Sequence, residues 1–347
     1  MGAGLSGLAY AWRRRSEGRR VLVLAREDDL TSTTPAIVPG ETPHLERLLA
    51  AIPGAPSVVA KPCEPVQIWT PAGLKSAPAA LRHRLLLQPG SLAAVVRAHL
   101  KRRGRERPPP PSRVLPGGDG AIRHALATAL GSALRFEAAP CRVRPRDAAG
   151  GVARVEVSGH TLSAREVVLD GPADVQAENL RVDAPHHADV LRVVPYVAWT
   201  HLLVEMSAQH LPPIAGFVRS ADTRGRIHSA RCLSNLVPAD GAAGRVDVRI
   251  DTATVAGVGD EALGRIALAD VERALGRRTD GRVVGRRTSQ SVQPAPGHRR
   301  RMAELAADLG GRGVRLLGSA ALGDALDRLA SAGVPVAGPL PEGVTVA

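Results

Sequence analysis

The chain has 347 residues, 46 Lys and Arg against 33 Asp and Glu for a formal net charge of +13, 44% hydrophobic residues and only 2% aromatic ones. That much apolar mass over that length supports a packed core, excludes a disordered chain or a small disulfide scaffold, and predicts roughly two to three domains. No window approaches the ~18 consecutive uncharged apolar residues of a membrane-spanning helix.

The positive charge does not point to nucleic acid. Only Lys61, Lys75 and Lys101 are lysines and the other 43 basic residues are arginines, spread along the whole chain beside abundant Ala, Gly and Pro. That is a compositional bias rather than a stripe built for phosphates. Three tryptophans (Trp12, Trp69, Trp199), two tyrosines and two phenylalanines are too few for base-stacking platforms. Cys63, Cys141 and Cys232 are odd in number and form no C-x-x-C pair, so neither a disulfide framework nor a zinc site is expected, and a reducing cytoplasm fits best. The eleven histidines show no metal-ligand spacing. Arg13, Arg14 and Arg15 follow the first apolar stretch instead of preceding it, which is the wrong order for a secretory leader.

At the amino terminus, Met1-Gly2-Ala3-Gly4-Leu5-Ser6-Gly7 carries G-x-G-x-x-G; Leu8 onward reads as a helix ending near Gly18, and Val21 to Leu24 as an apolar strand. Glycines at this spacing allow a tight turn and close approach of a pyrophosphate, while the helix start offers free N–H groups and a positive dipole end. Gly2, Gly4, Leu5, Ser6 and Gly7 are therefore candidate diphosphate contacts. A turn of this kind normally follows a strand, and only Met1 precedes Gly2. Either the true start lies upstream, or the sheet is completed in another way.

Gly2 to Leu24 resembles the FAD-binding start of the amine oxidase, phytoene desaturase and protoporphyrinogen oxidase superfamily. The resemblance implies a Rossmann-like α/β domain for FAD and a second, α+β domain with an antiparallel sheet for a small-molecule substrate. It also implies a ribose-binding Glu at the strand end, where this chain has Ala25; Glu27 fills that role only if the loop shifts. Asp28 matches the family's next motif, but Asp29 replaces its Arg, and Thr31-Ser32 replace two close-approach glycines. Such losses predict FAD binding weakened by several kcal/mol, at ~1.5–3 for each charged hydrogen bond.

Further along, Val66 to Lys75 reads as a hairpin and resembles the opening of the protoporphyrinogen oxidase substrate domain. Residues 81–103 read as a helix ending in Lys101-Arg102-Arg103-Gly104-Arg105, a basic run that could touch anionic lipid at a membrane surface, and Pro108 to Pro111 as a stiff spacer. In the family this region is a long helical insertion, here reduced to a linker. Leu115 to Gly120 reads as a turn and Ala121 to Leu130 as the helix after it, Leu134 to Val143 and Val152 to Val157 as strands, and Glu166 to Asp170 as a buried strand. The resemblance places backbone at Val143 against adenine. From Val193 to Asp251 a period-2 pattern predicts an antiparallel sheet. Asp260 to Leu275 reads as a helix with Asp260 as N-cap and Gly276 as its stop. Gln293, Gly297 and His298 match a protoporphyrinogen oxidase segment, and a helix over Arg299 to Leu309 follows.

The strand Val314 to Gly318 stands where the family has its carboxy-terminal flavin motif. Gly318 is kept, and Ser319 replaces an Asp or Asn that binds ribityl or phosphate oxygens; a helix over 324–332 aims its dipole the same way. The implied division is 1–60, 113–180 and 285–347 for the FAD domain, and 61–112 with 181–284 for the substrate domain. The implied chemistry is hydride transfer from a reduced substrate carbon to flavin, a reduced tetrapyrrole being the family precedent, with Arg219 or Arg224 available for substrate carboxylates. No residue stands out as a dedicated acid or base. Two alternatives remain open: a non-catalytic descendant serving as scaffold or partner-binding protein, and a nicotinamide-dependent reductase in which Arg26 meets a 2′-phosphate.

Overall fold

The computed structural model describes residues 4–25, 36–38, 42–61, 64, 66–76, 112–137, 141–147, 150–237, 243–293, 295–322 and 326–333. The expected helix over 81–103, the basic run, the proline spacer, Gly2 and Glu27 lie outside them.

Helix α1 (Leu5–Ser16) begins directly after Gly4, its N-cap, and Gly18, with φ of 76°, reverses the chain into β1 (Val23–Ala25). Behind α1 pack α2 (Pro43–Ala51), α3 (Gly118–Leu130) and a small antiparallel sheet of β2 (Ala36–Val38), β6 (Ser112–Leu115) and β3 (Val59–Lys61). Leu8, Leu45, Leu115, Ile122 and Leu126 are the centre of this first core.

β1 pairs in parallel with β7 (Leu134–Phe136), and β11 (Val167–Leu169) pairs in parallel with β17 (Val314–Leu316). Among the described residues these are two separate parallel pairs. The single strand expected over 134–143 is in fact two. Leu134 packs on the first core and Val143 on a second, so the chain changes sheets between them. Val143 lies in β8 (Arg142–Arg144), which runs antiparallel to β9 (Ala153–Val157), itself hairpinned to β10 (His160–Ala164).

The second core gathers Val143, Leu169, Leu180, Leu191, Leu305 and Leu316. It takes in α4 (Ala173–Leu180), α5 (Pro185–Arg192) and α7 (His298–Gly311). Two expected boundaries need correction. Ala177, Leu180, Ala184 and Ala188 are buried together with β11 and β17, so the chain does not leave this unit at residue 181. The division at 284/285 falls inside β16 (Arg282–Val292), a strand of the large sheet.

That sheet has seven strands in the order β16, β12 (Tyr196–Ser207), β15 (Ala243–Asp251), β14 (Ile227–Cys232), β13 (Gly216–Arg219), β4 (Gln67–Thr70), β5 (Gly73–Lys75). All neighbours are antiparallel except β13 and β4. The hairpin and the antiparallel sheet read from the sequence are both present. Side chains alternate across a strand. Leu202, Val204, Val246, Val248 and Ile250 therefore share one face, covered by α6 (Asp260–Leu275) through Leu263, Ala267 and Val271. Gly259, not Asp260, caps α6; Asp260 lies in its first turn, where its charge suits the dipole, and pairs with Arg286. Gly276, at φ of 67°, stops the helix as expected. Past β17 the short helix α8 (Ser319–Leu322) stands where a glycine-rich turn precedes the expected helix over 324–332, and α9 (Leu326–Ser331) falls within that expected helix. No helix among the described residues is long and apolar enough to cross a membrane.

Candidate functional site

Because β11 and β17 are adjacent and parallel, the turns that follow them, Asp170-Gly171-Pro172 and Leu317-Gly318-Ser319, leave the same end of the pair. The carboxyl end of parallel strands is where α/β folds place their ligands. Gln176, 1% exposed in α4, donates through Nε2 to the carbonyls of Gly171 at 2.9 Å and Leu317 at 2.8 Å, so one amide fastens both turns.

The amino end of α1 abuts these turns. The Ser6 hydroxyl, itself buried, donates to Oδ1 of Asp170 at 2.7 Å and accepts from the N–H of Gly318 at 2.9 Å. Asp170 is 5% exposed. Its carboxylate lies on the glycines: a Cβ on Gly4 would land on Oδ2 with Cγ 3.0 Å away, and a Cβ on Gly7 would come within 2.5 Å of Oδ2. Only glycine allows this approach at the two positions. The carboxylate thus lies against the start of α1, where the positive end of the helix dipole favours an anion.

Of the residues singled out in the sequence, Gly4, Ser6, Gly7 and Gly318 come together here, with Leu5 turned into the first core and Ser319 opening α8. Val143 is fully buried within β8. Arg219 donates to the carbonyls of Ile227 at 2.7 Å and Thr223 at 2.8 Å, which makes it a brace for the β13–β14 connection. Arg224 is exposed on that same connection, where its carbonyl accepts from Arg273.

The face of the large sheet opposite α6 is polar. The ring of Trp199 is 4.7 Å from that of His228, its Nε1 donates to Ser291 Oγ at 2.7 Å, and the guanidinium of Arg249 lies 3.8 Å from the ring and donates to Ser291 at 3.1 Å. Beside it, Asp247 accepts from His201 at 3.2 Å, Arg231 at 3.2 Å and Arg287 at 3.1 Å, while His201 Nε2 meets Ser289 Oγ at 2.8 Å. Burial pushes the Asp247 carboxyl up, but the bond from His201 and the two arginines outweigh it and hold it below the usual range. Burial lowers His228, and Arg249 and Arg219 lower it further. Tyr196, at the start of β12, accepts through its hydroxyl from the Ala173 N–H at 2.7 Å, so this end of the sheet adjoins the turn that carries Asp170. Sequence reasoning missed Asp170 and the whole polar face. The alternation in Trp199-Thr200-His201 was legible, but its partners come from strands about 50 and 90 residues away.

No protein-family model and no curated protein matches the chain. Solved structures do. A protein from Exiguobacterium sp. 255-15, provisionally named a protoporphyrinogen oxidase, superposes with a TM-score of 0.68 over 96% of each chain at 16% identity. Reduced UDP-galactopyranose mutase gives 0.69 over 94% of this chain and 90% of its own at 13% identity. A variant of putrescine oxidase gives 0.66 over 95% and 94% at 15%. The chain shares the mixed α/β fold of these three proteins.

Proposed function

We propose that the chain is a flavin-dependent oxidoreductase acting on a small, carboxylate-bearing molecule. One observation carries this reading: the start of α1, the Ser6 hydroxyl and the Gly318 N–H converge at a turn where Gly4 leaves no room for a Cβ. With the Asp170 carboxylate moved aside, that donor set would fit the diphosphate of FAD, the group the fold family implies. Gly4, Ser6, Gly7 and Gly318 would hold the phosphates, with Gly2 and Leu5 completing the turn, Ser319 contributing one hydroxyl, and Glu27 and the Val143 backbone serving the adenosine. Flavin, when bound, supplies the hydride acceptor.

The rest falls to the chain's own residues. Arg249, flat against Trp199, presents a planar donor set suited to a substrate carboxylate, and replaces Arg219 and Arg224 in that role. His228, with its lowered pKa, is neutral near pH 7 and able to accept a proton. Tetrapyrrole carboxylates are one chemistry that meets these requirements, and the cytoplasm is the compartment we propose.

Titrating the full chain with FAD tests the reading. Saturable heat release and a rise in Tm with FAD concentration are expected, because a ligand of the native state stabilises it by mass action. Heat and Tm that stay flat at millimolar FAD would refute it. Ala25, Ser319 and the position of Asp170 favour a second reading, a non-catalytic protein that keeps the fold as a scaffold, for which flat titrations are the expected result.

A further inference from the structure

We propose that Asp170 is a built-in competitor for the diphosphate of FAD, so that flavin is an exchangeable ligand of this protein rather than a permanently held one. The proposal rests on the flavin reading above and adds a residue that sets the affinity.

The argument starts from space. A phosphate oxygen approaching the glycine turn needs the volume over Gly4, and the Asp170 carboxylate fills it, with Cγ 3.0 Å from where a Cβ would stand. It continues with donors. The Ser6 hydroxyl has one proton to give, and at present it goes to Asp170 Oδ1 at 2.7 Å. Charge makes the competition steeper, since a diphosphate beside a buried carboxylate meets like-charge repulsion in a poorly screened setting. Asp170 is also held in place. Gly171, at φ of 133°, sets the turn behind it, and Gln176 bolts that turn to the one carrying Gly318. For FAD to seat, the carboxylate must rotate away from Ser6 and from the volume over Gly4.

The test compares wild type, Asp170→Asn and Asp170→Ala by calorimetry with FAD and, separately, with ADP, which carries the diphosphate without the flavin ring. Asp170→Asn keeps the shape and removes the charge; Asp170→Ala clears the space as well. The inference predicts that both variants bind FAD at least about tenfold more tightly than wild type, with a matching gain for ADP. A gain in affinity cannot arise from misfolding, and circular dichroism verifies that each variant is folded; should Asp170→Ala fail that check, Asp170→Asn alone decides. Wild type binding FAD as tightly as the variants overturns this inference and leaves the flavin reading intact. Binding by the variants alone overturns the inference, since wild type would then hold no exchangeable flavin, and overturns the flavin reading of the natural chain with it. Binding by none of the three overturns both.

Discussion

Two carboxylates, Asp170 and Glu166, do structural work at two places along α1. Asp170 stabilises the amino end of the helix, so Asp170→Asn should lower the ligand-free stability by about 1–2 kcal/mol even as it raises FAD affinity. Opposite signs in the two measurements are the mark of a residue that competes with its ligand. Glu166 works farther along α1. Tyr10 donates to it at 2.6 Å and Arg315 at 2.9 Å, tying the helix to β17. Burial raises the Glu166 pKa, yet the two hydrogen bonds prevail and leave it below the ordinary value. A carboxyl whose folded pKa is lowered stabilises the fold above its unfolded value of about 4.3, and that stabilisation disappears as pH falls through the folded value. Glu166→Gln should therefore lose about 1–2 kcal/mol at pH 7, with the gap to wild type closing below about pH 4 in urea melts. A gap unchanged from pH 7 to 3 would contradict this account.

Between elements, the decisive joint is the one Gln176 makes. β11 and β17 are only three residues each, and their turns could diverge if nothing crossed between them. Replacing the amide by an apolar isostere, Gln176→Leu, leaves the Gly171 and Leu317 carbonyls without this donor and should cost about 2–4 kcal/mol. Hydrogen exchange at Gly318 should accelerate in the same variant, because its N–H reaches Ser6 only while the two turns stay together. Slow exchange at Gly318 in a destabilised Gln176→Leu would show that the joint lies elsewhere. The large sheet follows a different logic. Its α6-facing side is held by apolar burial, which frees the other side to carry Trp199, His201, Asp247 and Arg249. Those polar groups are tolerated there because Trp199, His201 and Asp247 each bond a side chain on an adjacent strand and Arg249 reaches across β12 to Ser291.

At the scale of the molecule, the described residues hold three large apolar clusters: one around α1, one around β11 and β17, one beneath the large sheet. Separate cores of this kind predict unfolding that is not two-state. Scanning calorimetry should give a calorimetric enthalpy above the van't Hoff value; equality of the two would mean that the clusters melt as one. FAD should raise the transition of the first two clusters more than that of the third, since its diphosphate would sit where α1 meets β11 and β17.

The glycine turn, the helix after it, the hairpin at 66–75, the period-2 sheet and the closing βα unit were legible along the chain, because each rests on local periodicity or on conformations that only glycine adopts freely. Local pattern failed where a residue's meaning depends on what lies opposite. Nothing around Asp170 distinguishes it from an ordinary residue at the end of a strand. Only the packing of β11 against β17, with α1 laid across their ends, sets its carboxylate on glycines 163 and 166 residues earlier, and only strand register brings His201 to Asp247. Sequence alone determined most of the helices and strands among the described residues and the mixed α/β class they assemble. Tertiary structure decided what fills the anion site, because like charges and shared donors compete through distance in space, and the order of residues along a chain does not encode that distance.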